Sequence, residues 1–594
     1  MHVHHWRTPT RLEASSFKLE EPTEMQTEQK QSSIIAPAPE IPAPPTATDS
    51  ECGFKLLSAP SESTEALKRI QVLASTQPAS ECKSSSRAEP AQVPVLDVIY
   101  IDFEPGDMHD PANWTPQRKW IVTLVACYFA ALGGATASAY ALGFPSMMRE
   151  LGCTHEQAAL GISTFCLGFG LVPLLTSSFS EEFGRRPLYV VCIIGFTAMY
   201  VVQAKASNIQ TVIAARFLSG AFGSTGGSMV SGTVADIWEP ARRGLPMSIY
   251  ALSVIAGTGI GPVVGGWIEL SLGWRWIEWF HAIAAALCII LISALGKETR
   301  TGVMLTRKAK KLRAETRNPR YRAKAEDERG SMKKLIWVTS TRPILLLLTE
   351  PTVLAFSLWL GFAWGILYSM FESIAPIFGS LYGFNQGQAG LTFVGITLGA
   401  FLGFATNFYQ ESLYRKHFPS RGPEARLYVA CAAAVMFPAG MFIYAWCSQA
   451  SIHWIVPVIG ITLFMWATFI IYLAVFTYLA DCYGTYASSA LAGQSLLRAS
   501  HLTHAALTYI YMLTPPTPNP NQPTHPGNLA GTAFPLFTSA MYTRLGYHWA
   551  SSLFGFIAVA MIPIPYVLLL LGPTLRAKSR FASTIVHQPG QIDI

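Results

Sequence analysis

The sequence predicts an all-α membrane protein of twelve transmembrane helices in two six-helix lobes. Three observations carry that expectation. The chain is 51% hydrophobic and 13% charged, whereas soluble domains carry about 25% charged residues. Its apolar residues lie in blocks of about 20, the helical length that crosses a hydrocarbon layer of roughly 30 Å. Its basic residues collect in alternate connections between those blocks, as they do on the cytoplasmic side of membrane proteins.

Residues 1–97 are polar and poor in aromatics, with an Ala/Pro run at 35–45. Such a stretch cannot bury enough apolar surface to fold and is expected to be a disordered cytoplasmic tail. It holds no apolar core of signal-peptide length, so the first span is expected to direct insertion. From Trp120 the pattern changes. Spans are predicted at about 120–143, 156–176, 187–206, 209–233, 247–268 and 276–296, making a first lobe within 98–296. Further spans at about 350–372, 388–408, 427–446 and 453–478, a disturbed one within 487–541, and one at 549–571 make a second lobe within 350–579. A basic cytoplasmic linker, 297–349, separates the lobes, and 580–594 is a short cytoplasmic tail.

The formal net charge of +7 is concentrated rather than spread. Nine Lys and Arg residues fall between Arg307 and Lys324, and others cluster at Arg185-Arg186, Arg242-Arg243, 415–426 and 576–580. The connections 204–209, 379–388 and 448–453 are nearly free of them. By the positive-inside bias both termini and the linker are cytoplasmic. The linker also suits phosphoinositide or calmodulin binding, but anchoring and tethering two moving halves explain it more simply. The ten Cys and 13 His are dispersed with no CxxC pair, so no metal, cofactor or disulfide framework is expected. No GxxxxGK[ST] loop is present, which counts against an ATP-driven pump. Charge confined to loops between spans leaves no basis for a nucleic-acid partner.

Four segments carry chemistry. After the second span, Glu181, Gly184, Arg185 and Arg186 place a carboxylate, a tight turn and two arginines between helices, a combination suited to a gate latch. The fourth span carries Arg216, which must face protein or water, or snorkel to the membrane edge. Its neighbours Gly220, Gly223, Gly226 and Gly227 mark a close-packed face. The fifth span carries Gly257, Gly261, Pro262, Gly265 and Gly266. Small residues let helices approach closely and the proline loosens the backbone, as a rocking interface requires. In the seventh span Tyr368 and Glu372 are four residues apart and share a face that could line a cavity. A buried Glu372 could exchange a proton or hold a cation, while at the span's outer end it would only be solvated. Asp236 near a span end is a weaker acid candidate.

Together these segments resemble the major facilitator superfamily, and within it the fungal twelve-span drug:proton antiporter family, over about 100–580. Asp110-Pro111-Ala112-Asn113-Trp114 is similar to the family's entry signature. Glu181, Gly184, Arg185 and Arg186 match its loop 2–3 motif, although Ser177 stands where a glycine or alanine is usual. Arg216 and Gly220 match the fourth-span motif, followed by Ala235-Asp236-Ile237-Trp238, and the fifth-span set matches the antiporter motif. Further matches are Pro423-Glu424-Ala425-Arg426-Leu427, Tyr483-Gly484-Thr485-Tyr486-Ala487 and Phe534-Pro535-Leu536-Phe537. One departure is a proline-rich insert at about 501–530, which could not stay helical in hydrocarbon. A translated intron is the preferred reading of it.

The resemblance implies a major facilitator fold and proton-coupled export of drugs, toxins or fungal metabolites by alternating access. Arg216, Glu372 and Asp236 are then the proton-coupling candidates. A polyamine:proton antiporter is the alternative, and a transport-inactive sensor is the reading from another class. The expected partners are a small-molecule substrate, protons and the bilayer, for a monomer in the plasma membrane or else the vacuolar membrane. No converging nucleophile or metal set suggests an enzyme.

Overall fold

Prolines and small capping residues set where the helices start. Pro116, Pro351 and Pro563 occupy first turns, where a missing N–H costs nothing. Thr154, Asn208 and Asn385 accept backbone N–H groups three residues on, satisfying donors that a helix start otherwise leaves open. Gly152 and Gly383 close two helices in the left-handed region, which costs glycine no side-chain clash.

The computed structural model of the chain describes residues 98–239, 242–327, 332–486, 489–494, 533–579 and 581–582. The expected tail at 1–97, the insert at about 501–530 and nearly all of 580–594 lie outside the described residues. The helices are α1 (Pro116–Ala139), α2 (Phe144–Leu151), α3 (His155–Leu171), α4 (Pro173–Phe183), α5 (Arg185–Ala204), α6 (Ile209–Ile237), α7 (Gly244–Leu272) and α8 (Trp274–Leu295). The linker region carries α9 (Thr301–Thr316), α10 (Lys324–Asp327) and α11 (Met332–Thr349). Then follow α12 (Pro351–Tyr382), α13 (Gln386–Thr392), α14 (Val394–Arg421), α15 (Tyr428–Cys447), α16 (Ile455–Tyr483), α17 (Ala533–Met561) and α18 (Pro563–Lys578).

Eight helical stretches among the described residues are long and apolar enough to cross a membrane. The predicted second, fourth and eleventh spans are not among them, the eleventh falling largely outside the described residues. The second breaks at Val172 into α3 and α4, and in α6 the many Gly, Ser and Thr residues dilute the hydropathy of a 29-residue helix. Other ends also moved. Helix α12 runs ten residues past the expected end and continues through Pro376. That proline removes only the N–H that would have reached the Glu372 carbonyl. Helix α17 contains a break at Gly546, with φ 72° and ψ 167°, so it is two helices meeting at a corner.

In the first half α1 packs along α7, α3 along α6, and α5 along both α6 and α8. In the second half α15 packs along α16 and α17, and α14 along α16. The halves meet where α7 lies against α13 and α14, and where α3 touches α17. Large apolar side chains such as Ile283, Ile290 and Leu570 point outward, the arrangement expected against lipid. The linker is folded rather than a bare tether. β1 (Ile99–Tyr100) pairs in parallel with β2 (Tyr321–Arg322), Arg313 forms a two-bonded pair with Glu326, and Lys308 reaches Asp107 at 4.0 Å. The bundle thus has a linker end, where these elements sit, and a far end.

Candidate transport pathway

A narrow cavity opens between the two halves, lined by α1, α3, α6 and α7 on one side and by α12 and α16 on the other. The first half contributes small residues, including Gly133, Gly134, Gly170 and Gly227. The second half contributes Trp364, Tyr368 and Tyr472, whose rings meet in a cluster with centroids 6.2 Å apart for Trp364–Tyr368 and for Trp364–Tyr472. Aromatic faces of this kind bind flat apolar groups and cations alike. The glycines are also packing requirements. A Cβ on Gly134 would stand 2.5 Å from the Val254 carbonyl oxygen. Tyr250 donates its hydroxyl to the Gly227 carbonyl. Tyr250 and Tyr472 also line a second crevice, of about 920 Å³, which leads toward the linker end past Arg243, Glu411, Arg426 and Asp481.

Tyr368 therefore lines the cavity as expected from its position. Glu372, one turn on, is not among the lining residues. It is 6% exposed, and among the described residues neither carboxylate oxygen has a hydrogen-bond partner. The earlier alternative of a solvated residue at the span's outer end does not fit this burial, because α12 continues ten residues beyond it.

Arg216 is fully buried inside the first half. Its guanidinium donates to the Thr136 carbonyl at 3.3 and 3.4 Å, to the Gly161 carbonyl at 3.4 Å and to the Tyr200 hydroxyl at 3.4 Å. It lies 3.9 Å above the Tyr140 ring and 4.9 Å from that of Phe165. Its hydrogen-bond partners are all neutral. The glycines that follow it let α3 approach: a Cβ on Gly220 would meet the Phe165 carbonyl at 2.1 Å. The sequence reading passed over Glu278 and His281, which face this region from α8 and are 2% and 3% exposed. Their spacing of three on an apolar helix was the available signal.

Asp236 is placed elsewhere, at the linker end. Arg185 donates to it at 2.5 and 3.3 Å, Arg300 stands 3.7 Å away and Thr299 donates at 3.4 Å. Glu181 faces Arg300 at 3.9 Å. Glu298, which the sequence reading did not single out, accepts the backbone N–H groups of Arg185 and Arg186 at 2.9 and 3.3 Å. It thereby caps α5 where a carboxylate complements the helix dipole. Gly184 has φ 96°, and a Cβ there would stand 2.3 Å from Glu298 Oε2. The second half repeats the pattern. Arg426 joins Glu411 at 2.5 Å and Asp481 at 3.0 Å, Arg576 holds Glu424 through two bonds of 2.9 and 2.8 Å, and Glu350 accepts from Tyr483 and Ser579.

The fifth-span glycines divide between two faces of α7. Gly257, Gly261 and Gly265 lie against Ala131, Ala135 and Ala139 of α1. Gly266 lies against the Gln386 carbonyl, and Gly259, outside the expected set, lies against Thr397. The Pro262 carbonyl backs onto Gly390. Only the second face joins the two halves.

A family model described as Major Facilitator Superfamily matches residues 124–500, which is more than half of the 594-residue chain. The chain belongs to the major facilitator superfamily. It is a multi-pass membrane protein that moves small molecules across a membrane. Similar members include the "Major facilitator superfamily multidrug transporter mdrA" of Aspergillus fumigatus, 32% identical over 493 residues that cover 82% of this chain and 76% of that protein. The "MFS-type efflux pump MFS2" of Trichophyton rubrum is 32% identical over 492 residues, 82% of this chain and 78% of its own. Among solved structures, the xylose transporter XylE from E. coli in a partially occluded inward-open conformation aligns with a TM-score of 0.51 at 12% identity, over 76% of this chain and 98% of its own. That likeness establishes the shared major facilitator fold.

Proposed function

We propose that this major facilitator exports small amphiphilic compounds in exchange for protons, by alternating access. The observation that carries the reading is an aromatic cavity shared by both halves, one helical turn from a buried carboxylate without a partner. The relatives' names, multidrug transporter and efflux pump, point the same way. In this reading α1, α3–α4, α5, α6, α7 and α8 are six spans. Helices α12, α13–α14, α15, α16, the segment up to Gly546, and the remainder of α17 with α18 are the other six.

Cargo enters through the crevice at the linker end and stacks on Trp364, Tyr368 and Tyr472. The halves then pivot about the glycine face of α7 against α13 and α14, and the latches around Asp236 and Asp481 close the linker end. Protonation of Glu372 removes a charge that has no partner in low dielectric, so the acid's state and the conformation are linked. Arg216 holds α1, α3 and α5 together across the moving half. The linker end is cytoplasmic, the tails lie on that side, and the plasma membrane is the site of action. No carboxylate is among the residues that line the cavity, which favours neutral and monocationic amphiphiles over polyamines. Purified protein in proteoliposomes, with an imposed pH gradient and a panel of labelled cargoes, tests this. Gradient-driven accumulation of an amphiphile supports it. Accumulation of polyamines alone, flux indifferent to the gradient, or no flux of any cargo overturns it.

A further inference from the structure

We infer that Glu278 and His281 form a second proton-binding site, in the first half, electrostatically tied to Arg216. The inference rests on the proton-coupled reading above and adds a residue pair to it. Glu278 and His281 are three apart on α8 and share a helix face. Both are nearly fully buried, and among the described residues Glu278 Oε2 and His281 Nε2 have no hydrogen-bond partner.

The histidine's tautomer follows from its one bond. His281 Nδ1 lies 2.7 Å from the Ile277 carbonyl oxygen. A carbonyl only accepts, so Nδ1 carries the hydrogen. In the neutral ring Nε2 is then a bare lone pair, buried and ready to take a proton.

The charged and titratable groups around the pair come from every neighbouring element. Helix α6 presents Arg216, α5 presents Tyr200, and the turn after α1 presents Tyr140, each in electrostatic contact with Glu278 or with Arg216. The Tyr200 and His281 rings are 5.9 Å apart. Helix α7 presents Glu269, which is engaged by Ser146 and Arg149 instead. Beyond α2, Cys153 interacts with Tyr140. Arg216, bonded only to neutral acceptors, is a buried cation without a bonded counter-ion. An ionised Glu278 interacts electrostatically with Arg216 and supplies compensating charge, since burying an arginine uncompensated is costly. A proton taken up at Glu278 removes that compensation, whereas one taken up at His281 Nε2 adds a second positive charge that competes for it; either loosens the Arg216 contacts with α1, α3 and α5. The step moves a single proton from water into the site and returns it on release.

The test compares wild type, E278Q and H281Q in proteoliposomes by two assays, and adds infrared difference spectra after a pH jump. Cargo counterflow needs no gradient, whereas accumulation does. The expected result is that E278Q keeps counterflow but loses gradient-driven accumulation, and that a protonated-carboxyl band present in wild type is absent from its spectrum. H281Q is expected to shift the pH of half-maximal accumulation. Accumulation by E278Q equal to wild type, or an unchanged carboxyl band, overturns the assignment of Glu278; an unshifted profile in H281Q overturns that of His281. Should E278Q fail to insert, E278D serves in its place and is expected to retain the band at a shifted frequency; an unshifted band overturns the proposal. If wild type shows no gradient-driven flux, the antiport reading falls, while the spectra still decide whether Glu278 takes up a proton.

Discussion

Acidic residues at the linker end and acidic residues inside the bundle are treated in opposite ways. At the linker end each is held. Asp236 has Arg185 and Arg300, Asp481 has Arg426 and Tyr414, Glu424 has Arg576, and Glu298 has four backbone N–H groups. Inside, among the described residues, Glu372 has no hydrogen-bond partner and Glu278 lacks one on Oε2. A paired carboxylate stays ionised and fixes geometry, whereas an unpaired one in low dielectric can change its charge at modest cost. In the proposed mechanism the first arrangement serves as the latch and the second as the proton carrier. The sequence ranks Asp236 below Glu372 only for its place near a span end, and residue type alone does not say which acid meets an arginine.

The largest effect that could break this contrast is on coupled flux. Arg216→Ala and Glu372→Gln are each expected to abolish gradient-driven accumulation while the protein still inserts, measured in proteoliposomes alongside a surface-labelling assay. Retained accumulation in either variant would remove that residue from the coupling path. Arg576→Ala should act on stability instead. It strands Glu424, whose side chain is 1% exposed, and breaking a buried pair this way costs about 3–5 kcal/mol. A lowered unfolding temperature in detergent is the readout, and an unchanged one would show that the pair is dispensable.

A smaller loss is expected from Gly184→Ala, which combines a positive φ with a clash on Glu298. Strain of this sort costs roughly 1–3 kcal/mol. Proteolysis of the loop between α4 and α5 should rise, and no change would mean the turn relaxes freely. Gly259→Val sharpens the same comparison from the far side. It should slow flux without lowering stability comparably, because its Cβ meets Thr397 across the halves; normal flux would place the pivot elsewhere.

The smallest effect concerns Glu326, in the linker outside the membrane. Burial pushes its carboxyl up, but the bonds and charge of Arg313 outweigh that and hold it below its ordinary value. A lowered folded-state value means the stabilisation is present above the unfolded value and is lost as pH falls through the folded one. Because the pair is partly solvated, Glu326→Gln should cost only about 0–1 kcal/mol. Hydrogen exchange at β1 and β2, compared near neutral and at acidic pH, would show it; identical exchange in both proteins would make the pair ornamental.

Much of this was legible in the residues. Long apolar blocks, the basic linker and the glycines around Pro262 each carry their meaning locally, since a span needs only length and low charge, and close packing needs only missing side chains. Tyr368 could be placed near a cavity from a helix period alone. Three things could not be. The corner at Gly546 and the break at Val172 depend on neighbouring helices. The division of the α7 glycines between α1 and the other half depends on which face each turn presents. The roles of Asp236 and Glu298 depend on Arg185, 51 and 113 residues away, and those of Glu278 and Glu372 on oxygens left without a partner among the described residues.

The sequence by itself therefore determined that the chain is a multi-span carrier-like bundle with charged ends and a pliable fifth span, because hydropathy, charge bias and glycine content act over one helix at a time. Only the tertiary structure decided which acids are latched and which are left without partners. That distinction is a matter of whether an arginine from another helix arrives within bonding distance, and no local pattern encodes it.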